Sequence, residues 1–467
     1  MQDHIFRMYD IRGIVGEELF VDQVYDCARA CALYMLSKDP TITTVAVGMD
    51  GRVHSPAIKD EWVRGLRDSG LDVIFIGVCP TPLVSFSEYW LQVQAACMIT
   101  ASHNPKEYNG IKLFLHKTPL FSDDLQALKL LFKERQSHQP KHAGSYKEVP
   151  LILEYISYIK RLFPHLIGIT MPLVFDCGNG AVGAVLPQLC EAFGWPNVTQ
   201  LYSDVDGTYP HHEADPSVEE NMYDLKCMVQ AKKAAVGIAF DGDGDRMGAV
   251  TESGTMVFGD QLLALFSQYV LARIPGSSVV CDAKCSSALK EVVEKAGGVL
   301  TFSPSGHAFL RKAMMQTNAV IAGELSCHFF FKDRYFGYDD GLYAALRLIE
   351  LLLHSEQSFD ALLAQLPQRK SSPEIRITCK QGTGPAIIQS VLDEVRVMPG
   401  VKISTIDGVR IETSRGWGLL RASNTQPVIC FRCESDSQEG LQEVRGFFVD
   451  LLGSWYDRDT LESTLRW

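Results

Sequence analysis

The 467-residue chain has a formal net charge of −12, with 46% hydrophobic and 21% charged residues, a balance ordinary for a globular enzyme and, lacking any basic stripe, one that argues against a nucleic-acid partner. It is too long for one hydrophobic core, so three or four domains are expected. No apolar run reaches the ~18 residues of a membrane span, the first seven residues lack a signal-peptide core, and thirteen cysteines, an odd number set mainly in apolar stretches, fit free thiols in a reducing compartment, so the expectation is a cytoplasmic protein without a membrane partner.

In chain order, residues 6–13 (Phe-Arg-Met-Tyr-Asp-Ile-Arg-Gly) mix aromatic and basic side chains and read as an arm packed on a first domain. A helix over about 21–35 follows, then a strand over 44–48, the turn Asp50-Gly51-Arg52, a helix over about 56–68 closed by Gly70, and a strand over 71–76. The unit recurs. A strand over 173–177, a glycine-rich turn, a helix to about 193 and an extended 198–202 form the second copy. A strand over 278–282, a helix over 286–295, Gly297-Gly298 and a strand over 299–302 form the third. Alternating strand and helix implies right-handed crossovers and largely parallel sheets, hence three tandem α/β domains.

Each repeat then ends an apolar strand in a polar loop and continues into another strand. The strand over 95–99 meets Thr100-Ala101-Ser102-His103-Asn104-Pro105, then 111–115; the strand over 235–240 meets Asp241-Gly242-Asp243-Gly244-Asp245-Arg246, then 247–250; the strand over 319–322 meets Gly323-Glu324-Leu325-Ser326-Cys327-His328, then 329–331. Ligands of open α/β sheets collect beyond strand ends, so three unlike polar loops at equivalent places are expected to line one central cleft. After the polar linker Gln368-Arg369-Lys370-Ser371-Ser372-Pro373, a strand, a helix, several antiparallel strands and a last helix over 438–455 read as an α+β domain. Expected boundaries are 1–150, 151–254, 255–368 and 369–467.

Ser102 puts a hydroxyl nucleophile on a strand-to-loop corner, although Ser-His-Asn-Pro is also an ordinary polar turn. Asp241, Asp243 and Asp245 alternate with glycines, and carboxylates so close repel one another unless a cation sits among them. Hard oxygen ligands suit Mg2+ or Ca2+. A solvated acidic turn is the plain alternative. An EF-hand is the sharper rival, because Glu252 falls at the twelfth position. Arg246 in place of the sharp-turn glycine, and flanking strands rather than helices, count against it and favour Mg2+. The run Gly178-Asn179-Gly180-Ala181-Val182-Gly183, with Asp204 about 20 residues on, fits a dinucleotide fingerprint and so a nicotinamide-dependent oxidoreductase, or else close helix-to-strand packing. Arg421, Ser423, Asn424 and Thr425 offer the donor set for a phosphate dianion, or a turn between strands. Cys430 and Cys433 match C-x-x-C, but residues three apart in a strand point to opposite faces, which argues against a metal or redox role.

A serine nucleophile, a carboxylate metal site, a polar loop with Glu324 and His328, and an anion-binding loop are together the parts of an enzyme that moves a phosphoryl group on a hydroxylated phosphate ester. On residues 6–13, 100–105 with 109–112, 178–183, 241–246, 323–328 and 421–427, in that order, the chain resembles the α-D-phosphohexomutases almost end to end. The resemblance implies reversible interconversion of hexose 6-phosphate and hexose 1-phosphate, for mannose and glucose, through a phosphoserine at Ser102 and a hexose 1,6-bisphosphate. It implies Mg2+ held by Asp241, Asp243, Asp245 and the Ser102 phosphate. Arg246 would steady the phosphoserine, while His103, Asn104 and Lys112 would shape its surroundings. Glu324, Ser326 and His328 would read sugar hydroxyls, and Arg421, Ser423, Asn424 and Thr425 would hold the non-reacting phosphate. Tyr9, Arg12, Lys284 and His307 stand at active-site positions of the family, with Lys112, Arg12 and His307 as candidate general acids and bases. The expected partners are sugar phosphates, and the expected state is a monomer. The chain departs from the pattern at Cys327, where the family has glycine. A residue with a Cβ takes positive φ only at a cost, so either that position does not need it or the loop is shifted.

Overall fold

The computed structural model describes residues 1–422 and 427–467. It divides into two units, one of Met1–Leu262 with Ser326–Leu363, the other of Leu263–Leu325 with Ala364–Trp467.

In the first unit the chain runs β1 (Ile11–Ile14), α1 (Val24–Lys38), β2 (Thr44–Met49), α2 (Ser55–Asp68), β3 (Asp72–Val78), α3 (Thr81–Trp90), β4 (Ala95–Ile99), β5 (Tyr108–Leu115), β6 (Thr118–Pro119), α4 (Asp123–Lys133) and β7 (Tyr146–Glu148). The strand order is β1-β5-β4-β2-β3-β7, with β6 on β5. The strands β4, β2, β3 and β7 are mutually parallel, as alternation with helices requires. Apolar residues of α1 at helical spacing (Val24, Cys27, Ala28, Cys31, Met35) are buried and join Val45, Val47, Trp62 and Ile99 in one core. The 6–13 stretch is more than an arm: Ile11–Ile14 pairs antiparallel with β5, opposing Arg12 to Gly110. Past the Ser102 loop the chain returns antiparallel along β4. The sheet is therefore parallel at its heart and antiparallel on the side where the loop turns.

The second sheet repeats that plan. After α5 (Ile152–Leu162) come β8 (Leu173–Asp176), α6 (Leu186–Phe193), β9 (Val198–Leu201), α7 (Tyr223–Lys232), β10 (Val236–Phe240), β11 (Met247–Thr251) and β12 (Met256–Val257), ordered β12-β11-β10-β8-β9. β10, β8 and β9 are parallel, and β11 returns antiparallel on β10 after the acidic loop. The glycine-rich turn over 178–183 is buried against that loop: Ala181 N–H donates to Gly242 O at 2.9 Å, and a Cβ on Gly180 would lie 2.9 Å from the same oxygen. Its glycines thus serve the approach of one backbone to another. Glu252 accepts from Asp360 N–H at 3.3 Å, and strands flank the acidic loop, so it does not have the helix-loop-helix form of an EF-hand.

The chain continues through α8 (Gly259–Leu271), β13 (Ser278–Asp282), α9 (Ser287–Lys295), β14 (Val299–Ser303), α10 (His307–Thr317) and β15 (Ile321–Gly323). In the second unit β13 lies parallel between β14 and β15, and Ser286 caps α9 by accepting from Ala288 N–H. The strand β16 (Phe329–Phe331) and α11 (Gly341–Ser355) return to the first unit. The apolar run over 346–353 lies in α11 with Arg347 and Glu350 buried among its leucines; Arg347 reaches Asp333 at 2.8 Å, and His165 reaches Glu350 at 2.9 Å. Among the described residues no helix is long and apolar enough to cross a membrane.

After α12 (Phe359–Ala364), the C-terminal part comprises β17 (Lys370–Ser371), β18 (Ile375–Thr378), α13 (Gly384–Val395), β19 (Lys402–Ser404), β20 (Val409–Thr413), β21 (Gly416–Ala422), β22 (Val428–Ser435), α14 (Gln438–Leu452) and α15 (Arg458–Thr464). Its pairings are antiparallel, so it is the expected α+β domain. The expected last helix ends three residues early, at Leu452, and a further helix follows it. Asp457 starts that helix by accepting from Thr460 N–H, a cap that overrides continuation of α14.

Candidate active site

Ser102 sits just past the C-terminal end of β4, 2% exposed, with φ at +52°. A serine held in the left-handed region costs backbone energy, and such strain persists where the surroundings over-determine it. Thr100 Oγ1 accepts from Ser102 N–H at 2.9 Å. The Ser102 hydroxyl donates to Asp241 Oδ2 at 2.8 Å and lies 3.2 Å from His103 Nδ1. Contact this close needs a residue without a side chain opposite: a Cβ on Gly242 would fall 2.4 Å from Ser102 O. Burial, followed by the Arg246 and Arg12 guanidinium groups, pushes the His103 pKa well below its usual value. Arg12 donates to Asn104 Oδ1 at 2.7 Å and to Asp10 Oδ2 at 2.9 Å.

Asp241, Asp243 and Asp245 are fully buried. One oxygen from each of Asp241, Asp243 and Asp245 lies within 4.8 Å of the others. Burial, then Asp245 and Asp243, raise the Asp241 pKa well above the usual carboxylate range. Burial and Asp245 push Asp243 the same way, but Lys112 and Thr81 outweigh them and hold it low. Asp245, also opposed by burial, is held well below by Lys112, His328 and Arg246. The Lys112 ammonium donates to Asp243 Oδ2 at 2.6 Å and Asp245 Oδ2 at 2.5 Å. Burial alone would lower the Lys112 pKa, yet the two carboxylates raise it. Asp243 Oδ1 remains buried with no hydrogen-bond partner. Asp245 Oδ1 is likewise buried with no hydrogen-bond partner. Three crowded carboxylates, two unbonded oxygens and a lysine already drawn to them fit a hard divalent cation. His328 Nε2 lies 3.2 Å from Asp245 Oδ1 and 3.3 Å from Arg246 Nε. Ser326 Oγ is 3.4 Å from His328 Nδ1. Asp245, His328 and Asp339 form a second metal-capable group. Between Ser326 and His328, Cys327 has φ at +70°, so that position does take the left-handed conformation, with a Cβ.

The first unit therefore brings together Ser102, His103, Lys112, Arg12, Arg246, the three aspartates and His328, with Ser326 beside His328. Tyr9, half-buried, is in the same unit. Lys284, His307, Glu324 and Arg421 belong to the second. There Glu324 accepts from Gly306 N–H at 2.5 Å, immediately before His307 opens α10. Lys284 pairs with Glu374 at 3.3 Å; burial works against its charge, but Glu374 and Asp282 raise its pKa. Arg421 Nε pairs with Asp407 at 2.9 Å, and Asp407 also accepts from Ser305 N–H at 3.1 Å. Ser423, Asn424 and Thr425 lie outside the described residues.

Sequence reasoning passed over Arg52, Thr81, Asp339, Asp282 and Asp407. Arg52 and Thr81 follow the C-terminal ends of β2 and β3, and Thr81 Oγ1 donates to Asp243 Oδ2 at 2.5 Å. Applying the strand-end rule to every parallel strand finds both.

Four family models match the chain in succession: "Phosphoglucomutase/phosphomannomutase, alpha/beta/alpha domain I" over residues 3–139, domain II over 154–254, domain III over 258–370 and the C-terminal domain over 374–451. A phosphomannomutase/phosphoglucomutase of Pseudomonas aeruginosa is 39% identical over 448 residues, covering 96% of this chain and 95% of that one. A phosphoglucomutase of Neisseria meningitidis is 38% identical over 455 residues, covering 96% and 97%. The crystal structure of a phosphoglucomutase/phosphomannomutase family protein from Burkholderia thailandensis superposes with a TM-score of 0.89 at 33% identity, covering 97% of this chain and 98% of that one.

Proposed function

The chain belongs to the phosphoglucomutase/phosphomannomutase family of α-D-phosphohexomutases and is an isomerase-type enzyme, and from that premise we propose that it interconverts the 1- and 6-phosphates of glucose and mannose through a phosphoserine at Ser102. The observation that carries the reading is the Ser102 hydroxyl, strained and 2.8 Å from Asp241 in a cluster of three buried carboxylates. A hydroxyl placed so can carry a phosphoryl group beside a cation site.

In the transfer, a substrate hydroxyl oxygen forms a bond to phosphorus as the bond from phosphorus to Ser102 Oγ breaks. The hydroxyl proton passes to a protein base, a protein acid gives a proton to the departing Ser102 Oγ, and the Ser102 hydroxyl so formed donates to Asp241. The hexose 1,6-bisphosphate then turns and returns its other phosphate to Ser102; added bisphosphate would recharge enzyme that has lost its phosphate. Asp241, Asp243 and Asp245, with the Ser102 phosphate, would hold Mg2+, which supplies neutralising charge to phosphoryl oxygens. Arg246 and His103 flank the phosphoserine, and Lys112, Arg12 and His307 are the proton-transfer groups. Lys112, bound to two carboxylates that raise its pKa, stays protonated and so cannot be the base that receives the hydroxyl proton. Arg421, with Ser423, Asn424, Thr425 and Lys284, would take the non-reacting phosphate, and Glu324, Ser326, His328 and Tyr9 the sugar.

A bisphosphate bound in two orientations can be read only by features that survive the turn, and the 3- and 4-hydroxyls lie between its two phosphate-bearing ends. Glucose and mannose share those hydroxyls and differ at C2. One relative is named for both sugars and another for glucose alone, so substrate kinetics are the test. Glucose 1-phosphate and mannose 1-phosphate should turn over within about tenfold of each other, with galactose 1-phosphate, inverted at C4, far slower. A preference between the first two above roughly a hundredfold would mean that C2 is read.

A further inference from the structure

The turn Asp50-Gly51-Arg52 ends β2, and β2 neighbours β4, so it emerges beside the Ser102 loop. The side chains of Arg52 and Asp50 are both fully buried and face each other, Arg52 Nε lying 3.2 Å from Asp50 Oδ2. Asp50 is fixed in turn by Arg52 N–H at 3.0 Å and the Ser55 hydroxyl at 2.6 Å.

Arg52 Nε makes its ion pair with Asp50 without a hydrogen bond, and the Nη donors all go to one loop. Nη2 donates to the carbonyls of Ser102 at 2.8 Å and Asn104 at 2.5 Å, and Nη1 to those of Pro105 at 2.7 Å and Tyr108 at 3.1 Å. Four carbonyls of a seven-residue segment converge on one planar cation, which fixes the path of that backbone. Beside the loop is an open pocket of about 180 Å³ lined in part by Arg52, Ser102, Asn104, Thr208 and Tyr209. Without the guanidinium, the loop has room to relax away from the left-handed geometry of Ser102.

We propose that Arg52 is a positioning residue for phosphoryl transfer: it acts through the carbonyls of residues 102–108 to hold Ser102 Oγ against Asp241, and it is itself aimed by Asp50. The proposal rests on the reading that Ser102 carries the phosphate. Lysine cannot substitute, since a single ammonium has three donors on one nitrogen and no planar fork.

The test compares wild type, Arg52→Lys and Asp50→Asn by kcat and KM for glucose 1-phosphate, by thermal melting, and by intact mass after treatment with glucose 1,6-bisphosphate. Displacement of the nucleophile by about 1 Å costs roughly 10²-fold in rate. Arg52→Lys should therefore lose about 10²-fold in kcat with KM essentially unchanged, while the folded variant melts cooperatively. Asp50→Asn, which leaves the guanidinium in place but unaimed, should show the same split to a smaller degree, and it decides the matter if Arg52→Lys does not fold. Wild-type kcat in folded Arg52→Lys, or in Asp50→Asn where the lysine variant does not fold, would overturn the proposal, as would a loss carried by KM. Wild-type protein that takes no phosphate on Ser102 overturns the underlying reading and the proposal with it. A phosphorylated wild type beside an indifferent Arg52→Lys overturns the proposal alone.

Discussion

Replacing Lys112 by methionine isolates the balance of charge in the acidic cluster. The ammonium donates to Asp243 and Asp245 at 2.6 and 2.5 Å, with side-chain exposures of 5% for the lysine and 0% for both aspartates. Methionine keeps the apolar stem and removes the charge, leaving Asp243 and Asp245 buried without the ammonium that bridges them. Removing one partner of a buried pair costs about 3–5 kcal/mol, which for a unit of this size lowers the melting temperature by roughly 5–8 °C. Lys112 also competes with a bound cation for the same two oxygens, so its loss should raise Mg2+ affinity. Mg2+ at about 100 times its dissociation constant contributes about 2.7 kcal/mol, enough to recover a large part of the deficit. Calorimetry in EDTA and in Mg2+ reads both effects. The variant should melt below wild type in EDTA and show the larger Mg2+-induced rise. A melting temperature unchanged in EDTA, or a Mg2+ response no larger than that of wild type, would refute the reasoning.

Ser102→Ala should lower turnover by at least about 10³-fold, because the group that carries the phosphate is gone, while calorimetric titration finds substrate binding retained; turnover near wild type would remove Ser102 from the chemistry. Arg421→Ala should raise KM roughly 10- to 150-fold through loss of a charge-assisted bond worth about 1.5–3 kcal/mol, with kcat little altered in steady-state assays. At Cys327, already at φ +70°, glycine should leave stability within about 1 kcal/mol of wild type, since relief of backbone strain offsets the lost buried side chain, whereas valine should cost about 2 kcal/mol or more in chemical denaturation.

Most of the sheet framework was legible because apolar runs bounded by turn residues map directly onto β2, β4, β8, β10 and β13. The Ser102 and Asp241 loops were legible for the same reason: a polar run straight after a buried strand has nowhere to go but the strand end. The antiparallel return of β5 and β11 was not, because strand direction depends on how a loop closes and leaves no mark in the periodicity. Arg52 was hidden by its company, a charged residue in a turn that looks like any solvated one until β2 is known to lie beside β4. Arg347 and Glu350 pair with each other one turn apart in α11, at 3.3 Å, as their spacing allows, whereas their further partners, Asp333, Arg334 and His165, lie more than ten residues away, where a local apolar pattern could not name them. Cys327 shows the limit most simply: its identity argued against positive φ, and only the backbone reports that the loop adopts it.

The central claim is that Ser102 carries the phosphoryl group, and intact mass of the purified protein tests it most directly. After incubation with glucose 1,6-bisphosphate, the protein should gain the mass of one phosphoryl group, mapped by fragmentation to the peptide that holds Ser102, and should lose it when glucose 1-phosphate is added. A protein that turns over the sugar phosphates yet never carries that mass, or carries it on another residue, would contradict the account.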